Sequence, residues 1–285
     1  MAATPTHDAA VVSSAANRSE GAPVTIVTGG TFGLGLDISI ELARRGHQVV
    51  AFGLEAAQMS STAQGLDRIR DAAVQASVLD NIDVLTADVS SEADVSRVID
   101  HTLSRHGRID GLVNNAAIGP LGTVLNTPPD RFARIFEVNV QGVYLMCRAV
   151  IPHMVSQGGG AIVNIGSGAG YGKPNMAAYA ASKGALLALS TAMAYDHFHD
   201  KVRVNVAIPG GGGIVSGMSV GRTGGDTEAF LRRPAPGTAA GRTATGRDLA
   251  NAVAFLLSDD AATISGTVID VGCFSHQGGP IPPKP

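Results

Sequence analysis

Tyr179 and Lys183 stand four residues apart in AAYAASKGALL, whose small and apolar residues read as a helix. At that spacing both side chains leave one face, so an ammonium group can sit beside a phenol. A phenol ionises near pKa ~10 and needs a drop of roughly 2 to 3 units, about 3 to 4 kcal/mol, to exchange its proton at neutral pH. One cation at about 4 Å in an effective dielectric near 20 contributes roughly 4 kcal/mol, which suffices. The chemistry this permits is proton exchange at an alcohol or carbonyl oxygen. Ser167, twelve positions before Tyr179 in NIGSGAG, supplies a hydroxyl suited to hydrogen-bond the same oxygen.

A frame for these side chains is written in the alternation of short apolar runs and longer helical stretches. VTIVT at 24–28 is followed by a helix over 34–45, QVVAF, a further helix and IDVLTAD at 82–88. IDGLVNNA at 109–116, AIVNIGS at 161–167, VRVNVAI at 202–208 and TVIDVG at 267–272 continue the rhythm. The pattern predicts an α/β, doubly wound parallel sheet of seven strands, a Rossmann fold, in one domain over 23–274. A ligand in such a sheet binds at the carboxyl ends of the strands, where Ser167 closes the fifth. Residues 1–22 read as a mobile leader, and 275–285 (SHQGGPIPPKP) as an irregular tail. Between Gly210 and Gly241 clustered Gly, Thr, Arg and Pro break the rhythm, and 211–236 reads as a substrate lid. A solvated insertion without a role is the plainer alternative. Arg222, Arg232 and Arg233 in that stretch suit an anionic substrate group if the lid closes, although solvent-facing charges are the commoner case.

Thr28-Gly29-Gly30-Thr31-Phe32-Gly33-Leu34-Gly35 joins the first strand to its helix. Glycines there allow a tight turn and a close approach of backbone N–H groups to a pyrophosphate at the helix N-terminus. The spacing TGxxxGxG resembles the fingerprint of short-chain dehydrogenases/reductases, and the resemblance recurs over about residues 23–273. Asp88-Val89 is similar to the family's adenine contact. Asn114-Asn115-Ala116-Ala117 is similar to its NNAG, with Ala117 in place of Gly, and Tyr179-Ala180-Ala181-Ser182-Lys183 matches YxxxK. Pro209-Gly210 matches the pair that follows the sixth strand. The resemblance implies hydride transfer between a nicotinamide and a secondary alcohol or ketone. Tyr179 would be the acid/base, Ser167 the orienting hydroxyl, and Lys183 a hold on the nicotinamide ribose. Asn139 in EVNVQG would keep a water between Lys183 and solvent. Ser167 stands one position nearer the tyrosine than in many relatives, and the residue at the longer spacing, Gly166, has no hydroxyl. Thr31, Leu34, Asn115 and Ala116 complete the implied dinucleotide contacts, and a homotetramer is implied. The family's Val-Asp-Gly-Gly ending is replaced here by Val271-Gly272-Cys273.

Choice of NAD or NADP turns on a 2′-phosphate that needs a cation. Phe32 stands where NADP-preferring relatives often carry Arg or Lys, and the second strand ends Phe52-Gly53-Leu54-Glu55 without one, so NAD is favoured. The usual acidic ribose contact would fall at Gly53, which leaves Glu55 either as its substitute or as an ordinary surface residue.

A net charge of -3 leaves no broad basic field for nucleic acid or an anionic membrane. Cys147 and Cys273 are too few for a disulfide framework, so a reducing cytoplasmic setting fits. His197 and His199 sit at a spacing that points them apart, Cys273 and His276 lack a second pair, and no metal is expected. Two other classes compete. A dinucleotide-binding redox regulator without turnover would share the fold, and a sugar-nucleotide epimerase or dehydratase would share the Tyr and Lys but need a larger substrate domain.

Overall fold

Strands built from near-continuous Val and Ile runs need both faces covered, and helices cover both faces here. The computed structural model describes residues 21–54, 66–210, 214, 216–221, 224–226, 228–229, 232 and 238–272. Seven strands, β1 (Val24–Thr28), β2 (Gln48–Gly53), β3 (Ile82–Thr86), β4 (Gly111–Asn114), β5 (Gly160–Ile165), β6 (Val202–Ile208) and β7 (Val268–Asp270), form one sheet. Their order is β3-β2-β1-β4-β5-β6-β7, and every pairing is parallel. The order reverses between β1 and β4, where Thr28 lies opposite Asn114 at the carboxyl edge. Helices leaving opposite faces there open the crevice in which such sheets bind ligands.

One face carries α3 (Glu92–His106), α5 (Gly142–Ser156) and α6 (Ala177–Asp196), whose Val98, Met146, Val150 and Leu186 pack on Ile26, Leu112 and Ile162. The other carries α1 (Gly33–Arg44), α2 (Asp67–Gln75) and a helix over Gly246–Leu257, with Ile38, Leu42, Ile69, Leu249 and Val253 against Val27, Val113 and Val163. Each such side chain, fully buried, stabilises by roughly 1.5 to 3 kcal/mol. The chain also has α4 (Pro129–Phe136), which runs through a π-turn at Glu137–Gln141 into α5, and a short α7 (Gly217–Gly221). The Gly246–Leu257 helix is then α8; its first turn is held by Thr245 and Asp248, which cap each other reciprocally.

The sheet is the one the hydrophobic rhythm predicts, but several strands end earlier. β4 stops at Asn114, β5 at Ile165 and β7 at Asp270, because the residues beyond turn away from the ladder to line the carboxyl edge. Asn139, expected in a regular helix, lies in the π-turn. The 210–241 segment is not wholly irregular: Ile214 is buried in the core, and Ser216 accepts from the Ser219 N–H at the start of α7. Most of the expected lid, Arg222 and Arg233, Glu55, Cys273 and His276, the tail and residues 1–20 of the leader lie outside the described residues. Among the described residues no helix is long and apolar enough to cross a membrane.

Candidate active site

Lacing of β1 to β4 shapes the floor of the crevice. The Thr28 hydroxyl accepts from the N–H groups of Asn115 at 3.0 Å and Ala116 at 2.9 Å. Asn115 Nδ2 donates back to the carbonyls of Thr28 at 3.1 Å and Gly29 at 3.0 Å. Gly29 has φ +59°, and a Cβ there would lie 3.0 Å from Ala116 Cα. At Gly35 a Cβ would run into the Gly29 carbonyl, so the turn closes only with glycine in α1's first turn. α1 starts at Gly33 after an extended Phe32, with no side-chain cap and no acidic residue in its first turn. Its free N–H groups and positive dipole end therefore remain for an anion. These features fit a dinucleotide pyrophosphate. Ala117, where a Gly is usual, is not among the residues with positive φ, so this turn accommodates a Cβ.

At the end of β2, Thr31 is buried and its hydroxyl lies 2.5 Å from where a Cβ on Gly53 would stand. Thr31 thus covers the position at which an acidic ribose contact would arise, and half-buried Leu54 follows it. A cation that the local sequence does not reveal reaches this corner from α2, where the Arg68 guanidinium lies 5.3 Å from the centre of the Phe32 ring. Burial raises the neighbouring Asp37 carboxyl above its usual value, and Arg68 offsets part of that rise. Val89 is a core residue packed on Gly142, so only its backbone faces away from the core. Asp88 Oδ2 accepts from Arg134 at 3.0 Å, and Oδ1 accepts from the Ser90 N–H and hydroxyl. Burial raises the Asp88 carboxyl, and the Ser90 and Arg134 donors more than offset this, leaving it below the ordinary carboxylate value.

Tyr179 and Lys183 are both buried on α6. Lys183 Nζ donates to the Ile165 carbonyl at 2.7 Å, which ties it to the carboxyl end of β5, and burial lowers its pKa from 10.5 to about 8. The Ser182 hydroxyl donates to the Tyr179 carbonyl at 2.8 Å and accepts from Asn139 Nδ2 at 3.0 Å. Asn139 also donates to the Ile118 carbonyl at 2.8 Å and accepts from the Ile118 N–H at 2.9 Å. The extra residue of the π-turn thus puts Asn139 where it clamps the loop after β4 to α6. Ser182 and the π-turn carry no signal in the YxxxK or EVNVQG patterns, whereas Arg134 and Glu137 form a visible i, i+3 charge pair.

Ser167 caps a 3₁₀ turn at Gly168–Tyr171, its oxygen accepting from the Ala169 N–H at 3.2 Å while its own proton is left to donate. Gly166 is closed as an alternative: a Cβ there would lie 2.7 Å from Val206 Cγ1, inside the sheet. The 3₁₀ turn that follows Ser167 sits directly on α6. A Cβ on Gly170 would stand 3.0 Å from the Lys183 carbonyl carbon and 3.2 Å from the Gly184 nitrogen. Half-buried Pro209 and Gly210 follow β6, and a Cβ on Gly210 would stand 3.0 Å from Gly272 Cα after β7.

Other candidates do not join this group. Asn114 points into the core, donating to Asn164 Oδ1 at 2.8 Å, and burial pushes the Cys147 thiol beside it up to about 12. His197 Nδ1 lies 2.8 Å from Asp200 Oδ2. Among the described residues no group of three or more His, Cys, Asp or Glu side chains is arranged to hold a metal ion.

The geometry has close counterparts. The chain is 35% identical to 2-(R)-hydroxypropyl-CoM dehydrogenase of Xanthobacter autotrophicus over 250 residues, 86% of this chain and 95% of that one. It is 36% identical to cyclopentanol dehydrogenase of a Comamonas species over 258 residues, 87% and 96% of the two chains. A crystal structure of 3-ketoacyl-(acyl-carrier-protein) reductase from Brucella melitensis complexed with NADH superposes with a TM-score of 0.76 at 32% identity, covering 90% of this chain and all of that one. The family model for short chain dehydrogenases matches residues 23–220. With the parallel sheet, the glycine cradle and the Tyr–Lys helix at one edge, these matches make the chain a member of the short chain dehydrogenase family of oxidoreductases.

Proposed function

We propose that the protein interconverts a secondary alcohol and a ketone with NAD(H), using Tyr179 as the acid/base. The observation that carries this reading is Lys183: a buried amine held 2.7 Å from the Ile165 carbonyl, one helical turn beyond a buried tyrosine. A bound nicotinamide supplies the hydride acceptor or donor. The chain's own residues do the rest. Ser167 orients the substrate oxygen, Tyr179 takes the hydroxyl proton in oxidation and returns it in reduction, and Lys183 in its protonated form favours the phenolate. Asn139, through Ser182 and the Ile118 backbone, holds α6 against the loop that walls the site.

The residues that would hold the dinucleotide are Thr28, Gly29, Thr31, Phe32, Gly33, Leu34 and Gly35 at the pyrophosphate turn, with Gly53, Leu54, Asp88 and Val89 toward the adenosine. Asn115, Ala116, Ala117, Lys183, Pro209 and Gly210 would flank the nicotinamide half. NAD remains the favoured cofactor, because Arg68 is already engaged with the Phe32 ring and faces the Asp37 carboxyl. Names of relatives such as cyclopentanol dehydrogenase support an alcohol substrate. We place the enzyme in the cytoplasm as a homotetramer, with exposed Tyr144, Val155, Tyr195 and Phe198 on and beside α5 and α6 as the faces to be covered. Absorbance assays of the purified protein with NAD and NADP against panels of secondary alcohols and ketones test the reading. Reduction of NAD by a secondary alcohol is expected; tight NAD binding without turnover on either panel would favour a redox regulator.

A further inference from the structure

Arg134 sits in the last turn of α4, just before the π-turn, and belongs to none of the motifs that define the site. Its guanidinium makes three charge-assisted or polar contacts: Nη2 to Asp88 Oδ2 at 3.0 Å, Nη1 to Ser90 Oγ at 2.8 Å and Nη1 to Glu137 Oε2 at 2.8 Å. Ser90 in turn donates both its N–H and its hydroxyl to Asp88 Oδ1 at 2.9 and 2.7 Å. The Asp88 backbone N–H donates to Asp94 Oδ2 at 2.8 Å, so the residue is fixed at main chain and side chain alike. A free carboxylate at the end of a strand samples several rotamers; this one is left a single orientation by donors on three sides.

We infer that Arg134 is a positioning residue for the adenine end of the dinucleotide site, acting through Asp88 rather than by touching the cofactor. The inference rests on the reading that a dinucleotide occupies the crevice with Asp88 at its adenine. An ionised carboxylate has about four lone-pair sites; the two Ser90 donors fill those of Asp88 Oδ1, and Oδ2, which accepts from Arg134 alone, keeps one. Oδ2 is an acceptor only, so the group that completes it is a donor such as the exocyclic amine of adenine. Glu137 anchors the same guanidinium to the π-turn that carries Asn139, which makes α4 a strut between the adenine loop and the Tyr–Lys helix. The pair is partly exposed, with Arg134 and Asp88 side chains at 42% and 29% of full accessibility, so its strength lies in the number of bonds rather than in burial.

The test is calorimetric titration of the full chain with 5′-AMP and with whichever nicotinamide dinucleotide the wild type binds more tightly. Arg134→Ala is expected to weaken both by the same factor, about tenfold, which is what loss of hydrogen bonds to a charged group amounts to. Arg134→Lys, able to reach one acceptor at a time, should recover part of the loss. In an Asp88→Asn background Arg134→Ala should add nothing further, which a loss of general stability would not reproduce. Undiminished affinity of Arg134→Ala for both ligands, weakening of the dinucleotide without AMP, or additive effects in the double variant would each overturn the inference. A wild type that binds neither NAD nor NADP would instead remove the dinucleotide reading itself.

Discussion

Lys183 is the residue whose environment says most about the chemistry. A lysine placed in the core exchanges hydration for one carbonyl, and the cost shows as a pKa lowered to about 8 by burial. The unfolded chain keeps the ordinary value near 10.5, so between these two pH values it binds a proton that the folded protein does not. Stability without cofactor should therefore rise with pH across that window, by about 3 kcal/mol relative to Lys183→Met, and this contribution should be absent below it. Urea unfolding of both proteins at pH 7.5 and 10 checks the sign; a gap between the two proteins that does not change with pH would contradict it. Tyr179 and Lys183 were legible in the sequence as neighbours on one helix face because a four-residue spacing fixes that, and Ser167 as a candidate through the family pattern. The contacts of Arg68 with Phe32 and of Arg134 with Asp88 were not, since each crosses between elements distant in sequence and only the folded chain brings them together.

At the level of elements, three pieces converge on α6: β5 through Ile165, the π-turn through Asn139 and the 3₁₀ turn through Gly170. At Gly170 the 3₁₀ turn has no side chain between its backbone and that of Lys183, which lets the two backbones approach closely. Gly170→Ala should push Ser167 and Lys183 apart by a few tenths of an ångström and lower kcat roughly tenfold while leaving cofactor affinity nearly unchanged. Steady-state kinetics beside a binding titration separate the two; unchanged kcat would mean that the contact positions nothing. A sequence pattern predicts α6 as a helix from its residues alone, but π-turns and backbone-on-backbone contacts leave no period to read. The strand ends were overestimated for a related reason: Asn115, Ala116 and Ser167 look like strand continuations, yet the N–H groups of the first two donate to the Thr28 hydroxyl and the Ser167 hydroxyl caps the local turn at Ala169.

Across the whole molecule, the parallel order and the single reversal between β1 and β4 followed from the alternation of apolar runs and helices, because a sheet buried on both faces has few other solutions. What composition could not supply is how the exposed aromatic residues are used. Tyr195 and Phe198, both largely open to solvent at the end of α6, should be covered in a tetramer, and light scattering should return four times the monomer mass. A monomer would leave those surfaces unexplained. The central claim, that the sheet's carboxyl edge brings a tyrosine proton to the reacting oxygen, is tested most directly by Tyr179→Phe. With a substrate identified, that variant should bind the dinucleotide as tightly as the wild type and lose at least about a hundredfold in turnover, the contribution expected of a positioned acid/base. Turnover retained within a few-fold at intact cofactor binding would contradict it.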